Sequence, residues 1–185
     1  MQTNITILLG KPITAPVLIP VDHKSTPTCI NSPFMVDGKV HRVTALSFGT
    51  PHGAVFVDDV DGTDVNSLGF ALGTHSLFPQ GASIVFIQVI DSKSIKVRLW
   101  QRGKGENGFV TPEAACVAGT AAIMLQKVLG NEASVLMGSN TFQVKWERGA
   151  DNVSLTVPME KVRFNNGELS ETPEQVVERL EHKSA

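Results

Sequence analysis

Between Thr111 and Gly130 the chain runs Thr-Pro-Glu-Ala-Ala-Cys-Val-Ala-Gly-Thr-Ala-Ala-Ile-Met-Leu-Gln-Lys-Val-Leu-Gly, a stretch that opens like a helix and is apolar on nearly every side. Thr111 is a good N-cap, Pro112 suits the first helical position, and Glu113 complements the positive end of the helix dipole. Gly130 marks the stop. A helix without a polar face has to be surrounded, so the rest of the chain must wrap it. Ala114, Ala118, Gly119 and Ala122 let the wrapping elements come close.

Strands are the natural wrapping. Alternating or β-branched runs recur at residues 5–9, 40–46, 54–57, 83–90, 94–101, 133–137, 141–146 and 153–157. Between them stand turn sequences such as Asp37-Gly38-Lys39, Asp91-Ser92-Lys93, Gly138-Ser139-Asn140 and Gly149-Ala150-Asp151-Asn152. Gaps this short make antiparallel hairpins, because a parallel crossover needs about a dozen residues or more. The proline-rich residues 12–33 read as edge strand and loop. A second helix is expected over 60–74, with Gly69 and Gly73 as its weak points. A third, short and charged, starts at the capping box Thr172-Pro173-Glu174-Gln175 and has a thin apolar stripe of Val176, Val177 and Leu180. The predicted fold class is α+β: a curved, barrel-like antiparallel sheet around one central buried helix, in a domain over residues 1–169, with a helical extension over 170–185.

Composition narrows the function classes. The 185 residues can bury one good core. A net charge of −2 gives no electrostatic footprint for nucleic acid or an anionic membrane. No apolar run approaches the roughly 20 residues of a membrane span, and Met1-Gln2-Thr3-Asn4 lacks the basic start of a signal peptide. The two cysteines, Cys29 and Cys116, have no metal-type spacing. No metal, no cofactor and a cytoplasmic location with reduced thiols are therefore expected.

Three short motifs carry the chemistry: Gly49-Thr50-Pro51-His52-Gly53, then Gln101-Arg102-Gly103-Lys104-Gly105-Glu106-Asn107, then Phe109-Val110-Thr111-Pro112-Glu113 at the helix start. Together they resemble the C-terminal domain of diaminopimelate epimerase. That family reads Gly-Asn-Pro-His, Glu-Arg-Gly-x-Gly-Glu-Thr and Ala-Cys-Gly-Thr-Gly at these places, and the resemblance spans about residues 5–169. It implies a barrel-like sheet closed around one long helix. It also implies a two-lobed parent in which each lobe supplies one cysteine, the pair acting as base and acid on opposite faces of the substrate α-carbon.

The departures fall on the chemistry. Val110 stands at the catalytic cysteine, Gln101 at the glutamate, Thr50 at the asparagine, and Ser83 and Val85 at an Asn-x-Asn pair. Thr111-Pro112-Glu113 replaces the loop whose amides hold the α-carboxylate, and Glu113 puts a negative charge there. Pro51, His52, Arg102, Gly103, Gly105 and Glu106 are retained. Two-thiol epimerisation by this lobe alone is thus not expected.

The first expectation is a small-molecule isomerase- or cyclase-type enzyme using acid–base chemistry. His52, Glu106 and Glu113 are its catalytic candidates; Arg102, Thr50, Gln101 and Thr111 its binding candidates, for a substrate that bears a carboxylate. The second is a non-catalytic ligand-binding or partner subunit. Several candidates have plain structural alternatives: Arg102 with Glu106 as an ion pair, Glu113 as a helix-charge complement, Cys116 as core packing, and Asp58-Asp59-Val60-Asp61 as a solvated helix entry. Cys29 is expected to be exposed in its loop. A single lobe should leave an apolar face for a partner, a homodimer being favoured over a separate N-terminal-half protein.

Overall fold

The computed structural model describes residues 4–22, 27–106, 108 and 111–158. Nine strands form one sheet: β1 (Asn4–Gly10), β2 (Ser32–Val36), β3 (Lys39–Ser47), β4 (Pro51–Phe56), β5 (Ser83–Val89), β6 (Ser94–Trp100), β7 (Glu132–Met137), β8 (Asn140–Glu147) and β9 (Asn152–Pro158). Helix α1 (Val65–Gly73) lies between β4 and β5, and α2 (Pro112–Met124) between β6 and β7. The extension expected over 170–185 lies outside the described residues.

The strand order is β1-β9-β8-β7-β6-β5-β4-β3-β2, so β1 and β2 are open edges and the sheet does not close. Six neighbouring pairs are antiparallel, but β4/β5 and β6/β7 are parallel. The sheet is therefore mixed where an antiparallel one was expected. The cause is the two helices. Each sits in a connection long enough to cross back to the starting end of the sheet, so the next strand enters in the same direction. Hairpins remain antiparallel; at Asp37-Gly38 both residues take positive φ (48° and 75°), the turn that matches strand twist.

The sheet curves around α2, which touches every strand from β3 to β9. Eleven residues of this helix are buried, from Pro112 to Ile123, on all of its sides. The close approach depends on small side chains: a Cβ on Gly119 would lie 2.7 Å from Val144 Cβ. The helix ends earlier than expected. Gln126 takes the left-handed conformation (φ 55°), while Lys127 N–H donates to Ala122 O and Gln126 N–H to Ile123 O. Gly130 also has positive φ, but it serves the turn beyond.

A second core packs α1 on the outer face of the sheet with Phe34, Val43, Val55, Ile84, Phe86 and Trp100. Helix α1 starts at Val65 because Asp64 accepts a hydrogen bond from Ser67 N–H, five residues after the expected start. Gly69 and Gly73 are not weak points but the bed for the Trp100 ring. A Cβ at either position would fall 2.4 Å from it. Strand β2, with Pro33, is an edge strand as the prolines implied. Cys29 is fully buried rather than exposed, with Phe34 and Val43 in this core.

Candidate functional site

The sequence motifs meet at the end of the sheet where α2 begins. Strand β3 ends there, β4 and β5 start there side by side, and β6 leaves there through the 101–106 loop. Alternation places His52, like Ala54, on the α2 face of β4, because Gly53 between them faces Val43 and Ile84 of the outer core. Ser83 is the register neighbour of His52 on β5.

The first turn of α2 supplies the carboxylate. Thr111 caps the helix by accepting from Ala114 N–H at 3.1 Å, and Pro112 opens it. Glu113 reaches across to the loop before β4. Its Oε1 accepts from Thr50 N–H at 2.8 Å and its Oε2 from Thr50 Oγ1 at 2.9 Å. The carboxylate lies 3.8 Å from His52 Nδ1. His52 Nδ1 in turn sits 2.9 Å from the Thr50 carbonyl. A carbonyl and a carboxylate only accept, so Nδ1 carries the hydrogen and the lone pair of the neutral ring lies on Nε2.

His52 is 4% exposed. Burial holds its pKa below the usual 6.5, and the Arg102 charge pushes the same way; the Glu113 charge and the Thr50 carbonyl oppose them. The result is a neutral imidazole with one nitrogen fixed and a carboxylate beside it. A base oriented by a third group is the arrangement that proton-transfer enzymes use.

Arg102 borders this cluster. Its N–H donates to Ser83 Oγ at 3.0 Å, and its Nη1 to Gln80 O at 2.6 Å. Glu106 does not pair with it. Both Glu106 oxygens are held at 2.7 Å by Arg98, through Nε and Nη2. Gln101 closes the intervening turn, its carbonyl accepting from Gly105 N–H and its N–H donating to Gly105 O. The structure thus joins Thr50, His52, Thr111 and Glu113, sets Arg102 beside them, and gives Glu106 to a different cation.

Arg98 is the participant that sequence reading missed. Its signal was there: a charged residue between Val97 and Leu99, facing away from the α2 core by alternation. Cys116 is fully buried, and burial, helped by the Glu113 charge, pushes its thiol pKa far up. Asp59 and Asp61 belong to the turn into α1, where Asp59 Oδ1 accepts from Asp61 N–H and Asp61 pairs with Lys96. Among the described residues no group of three or more His, Cys, Asp or Glu is placed to hold a metal ion. No described helix is long and apolar enough to cross a membrane. Val110 lies outside the described residues.

The diaminopimelate epimerase family model matches residues 44–171, the span that contains all three motifs. The chain belongs to the diaminopimelate epimerase family. The enzyme of Acaryochloris marina is 33% identical over 159 residues, covering 83% of this chain and 54% of that one. The enzyme of Geobacillus sp. (strain WCH70) is 31% identical over 161 residues, covering 86% and 56%. The chain spans about half the length of the curated relatives it matches. Solved structures share the fold at lower identity. A PhzF-family phenazine biosynthesis protein of Bacillus anthracis aligns with TM-score 0.50 at 17% identity, over 85% of this chain and 58% of that one. A hydroxyproline epimerase of Agrobacterium vitis aligns with TM-score 0.51 at 12% identity, over 84% and 49%.

Proposed function

We propose that this chain is an isomerase-type enzyme that moves a proton on a small molecule with His52 as its acid–base group. The observation that carries the reading is the placement of a buried His52, with Nδ1 2.9 Å from the Thr50 carbonyl and 3.8 Å from the Glu113 carboxylate. Nε2 then takes a proton from a carbon or oxygen acid and returns it at a second position. Glu113 stabilises the imidazolium formed in between. Arg102, beside the cluster and exposed, is the anion clamp for a carboxylate-bearing substrate. Two-thiol inversion is not the chemistry proposed: the motif reading sets Val110 at the family's cysteine, and the Cys116 thiol is buried and hard to ionise.

The candidate site lies at one end of the sheet, and the chain spans only about half the length of its relatives. A second copy of this chain, covering that end, is the partner we favour over a separately encoded half. The reading needs no cofactor and suits a cytoplasmic protein whose 170–185 extension adds to the domain.

The alternative is a ligand-binding or partner subunit without catalysis. In its favour, Glu113 already fills the Thr50 donors and Glu106 is bound by Arg98. Deuterium uptake separates the two. The protein is incubated in D₂O with a panel of amino acids, hydroxy acids and keto acids, and C–H signals are followed by NMR. Exchange that His52→Gln abolishes supports the enzyme; no exchange on any compound, or equal exchange by the variant, removes it.

A further inference from the structure

Arg98 has no place in the proton transfer, yet its guanidinium is the most densely bonded polar group in the described residues near the site. Nε and Nη2 hold the two Glu106 oxygens at 2.7 Å each, a planar fork on a planar carboxylate. Nη1 donates to the carbonyls of Val60 at 2.7 Å, Thr63 at 3.0 Å and Asp61 at 3.2 Å. The pair is only a quarter exposed on each side. One side chain on β6 therefore ties the entry of α1 to the end of the 101–106 loop.

That loop carries Arg102, which borders the candidate site. Its first residues are fixed at the site, with Arg102 N–H on Ser83 Oγ and Nη1 on Gln80 O. Its last residue is fixed on the other side of β6, by Arg98 and by Asn66 Oδ1, which accepts Glu106 N–H at 3.0 Å. Gly105 makes the crossing possible: it has φ 70°, and a Cβ there would lie 3.2 Å from Asn66 Oδ1. Five residues beyond Glu106 the chain enters α2 at Thr111, whose first turn carries Glu113.

We infer that Arg98 and Glu106 form a positioning pair, which sets where Arg102 stands relative to His52. The inference rests on the proposed site but not on its turnover. Glu106 is then a retained residue with a mechanical role, both of its oxygens being taken by Arg98.

The test uses amide hydrogen exchange of the full chain and the imidazole NMR signals of His52, in Glu106→Gln and Arg98→Gln. Expected is faster exchange of the Gly105 and Glu106 amides, by roughly tenfold or more, with central α2 amides unchanged. The His52 signals should move as the Arg102 charge shifts. Glu106→Gln keeps a hydrogen-bonding isostere, so it remains informative if Arg98→Gln fails to fold. An unchanged loop and an unmoved His52 signal in Glu106→Gln would overturn the inference. So would loss of protection spread evenly over sheet and helices, which would make the pair a brace of the whole fold. Absence of deuterium uptake by the wild type would remove the proposed function and leave this test standing.

Discussion

Two carboxylates of the same family motif region, Glu106 and Glu113, have opposite surroundings. Both are mostly shielded, with side chains 24% and 14% exposed. Glu106 meets the Arg98 guanidinium, which is raised in pKa chiefly by the hydrogen bonds it makes to that carboxylate. The pair is a permanent charge match and works as a joint. Glu113 meets two Thr50 donors and a neutral imidazole, so its charge is available to stabilise a proton that arrives on His52. Retention of a residue type thus says less about its role than the pKa of the group it faces.

Substitutions sharpen this contrast. The largest effect is expected from His52→Gln, which should lower deuterium exchange by about 10²-fold or more, measured on whichever panel compound exchanges. Next comes Glu113→Gln, with a loss of roughly tenfold or more, since the oriented carboxylate is worth about that much to a charged intermediate. It should also lower the His52 pKa further, because the Glu113 charge is what raises it. Arg102→Gln should move the same pKa upward, the opposite direction, since Arg102 lowers it. Two shifts of one sign in an NMR titration would break the contrast. Thr111→Ala removes the cap that frames Glu113 and should cost about 1 kcal/mol in denaturant unfolding.

The pH dependence of stability is the smallest and most general consequence. The folded-state pKa of His52 lies below the ordinary 6.5 of the unfolded chain, so the unfolded chain takes the proton more readily. The stability that this group contributes is full above pH 6.5 and is lost as pH falls through the lower folded value. A urea midpoint that drops between pH 7 and pH 5 in the wild type, and drops less in His52→Gln, is expected.

Much of the fold is legible because several strands bury one face and expose the other. Runs such as Val97 and Leu99 against Lys96 and Arg98 declare a strand and its faces from alternation alone. Direction is a different matter. The parallel pairs β4/β5 and β6/β7 follow from the helices between those strands, and hairpin-like gaps elsewhere drew the expectation toward a wholly antiparallel sheet. Gly69 and Gly73 looked unfavourable by helix propensity, because propensity does not see that Trp100 needs their empty faces. The end of α2 was misjudged for a related reason: a glycine marks a turn, but Gln126 takes the left-handed residue that closes the helix.

The candidate site was legible as a set of residues and not as a set of partners. Thr50, His52, Glu113 and Thr111 come from two motifs, and the start of β4 meets the first turn of α2. Arg102 and Glu106, close in sequence, were read as a pair; a turn at Gly103 and Gly105 sends them to opposite sides of β6, where Arg98 takes the carboxylate. Spacing along the chain cannot reveal which side of a turn a charge will face.

Proton transfer at this site requires a neutral, oriented His52, and long-range ¹H–¹⁵N NMR of the imidazole tests that most directly. The expected result is a ring that is mostly neutral at pH 6.5, with its hydrogen on Nδ1 and the lone pair on Nε2. A ring already protonated at that pH, or a neutral ring carrying its hydrogen on Nε2, would contradict it.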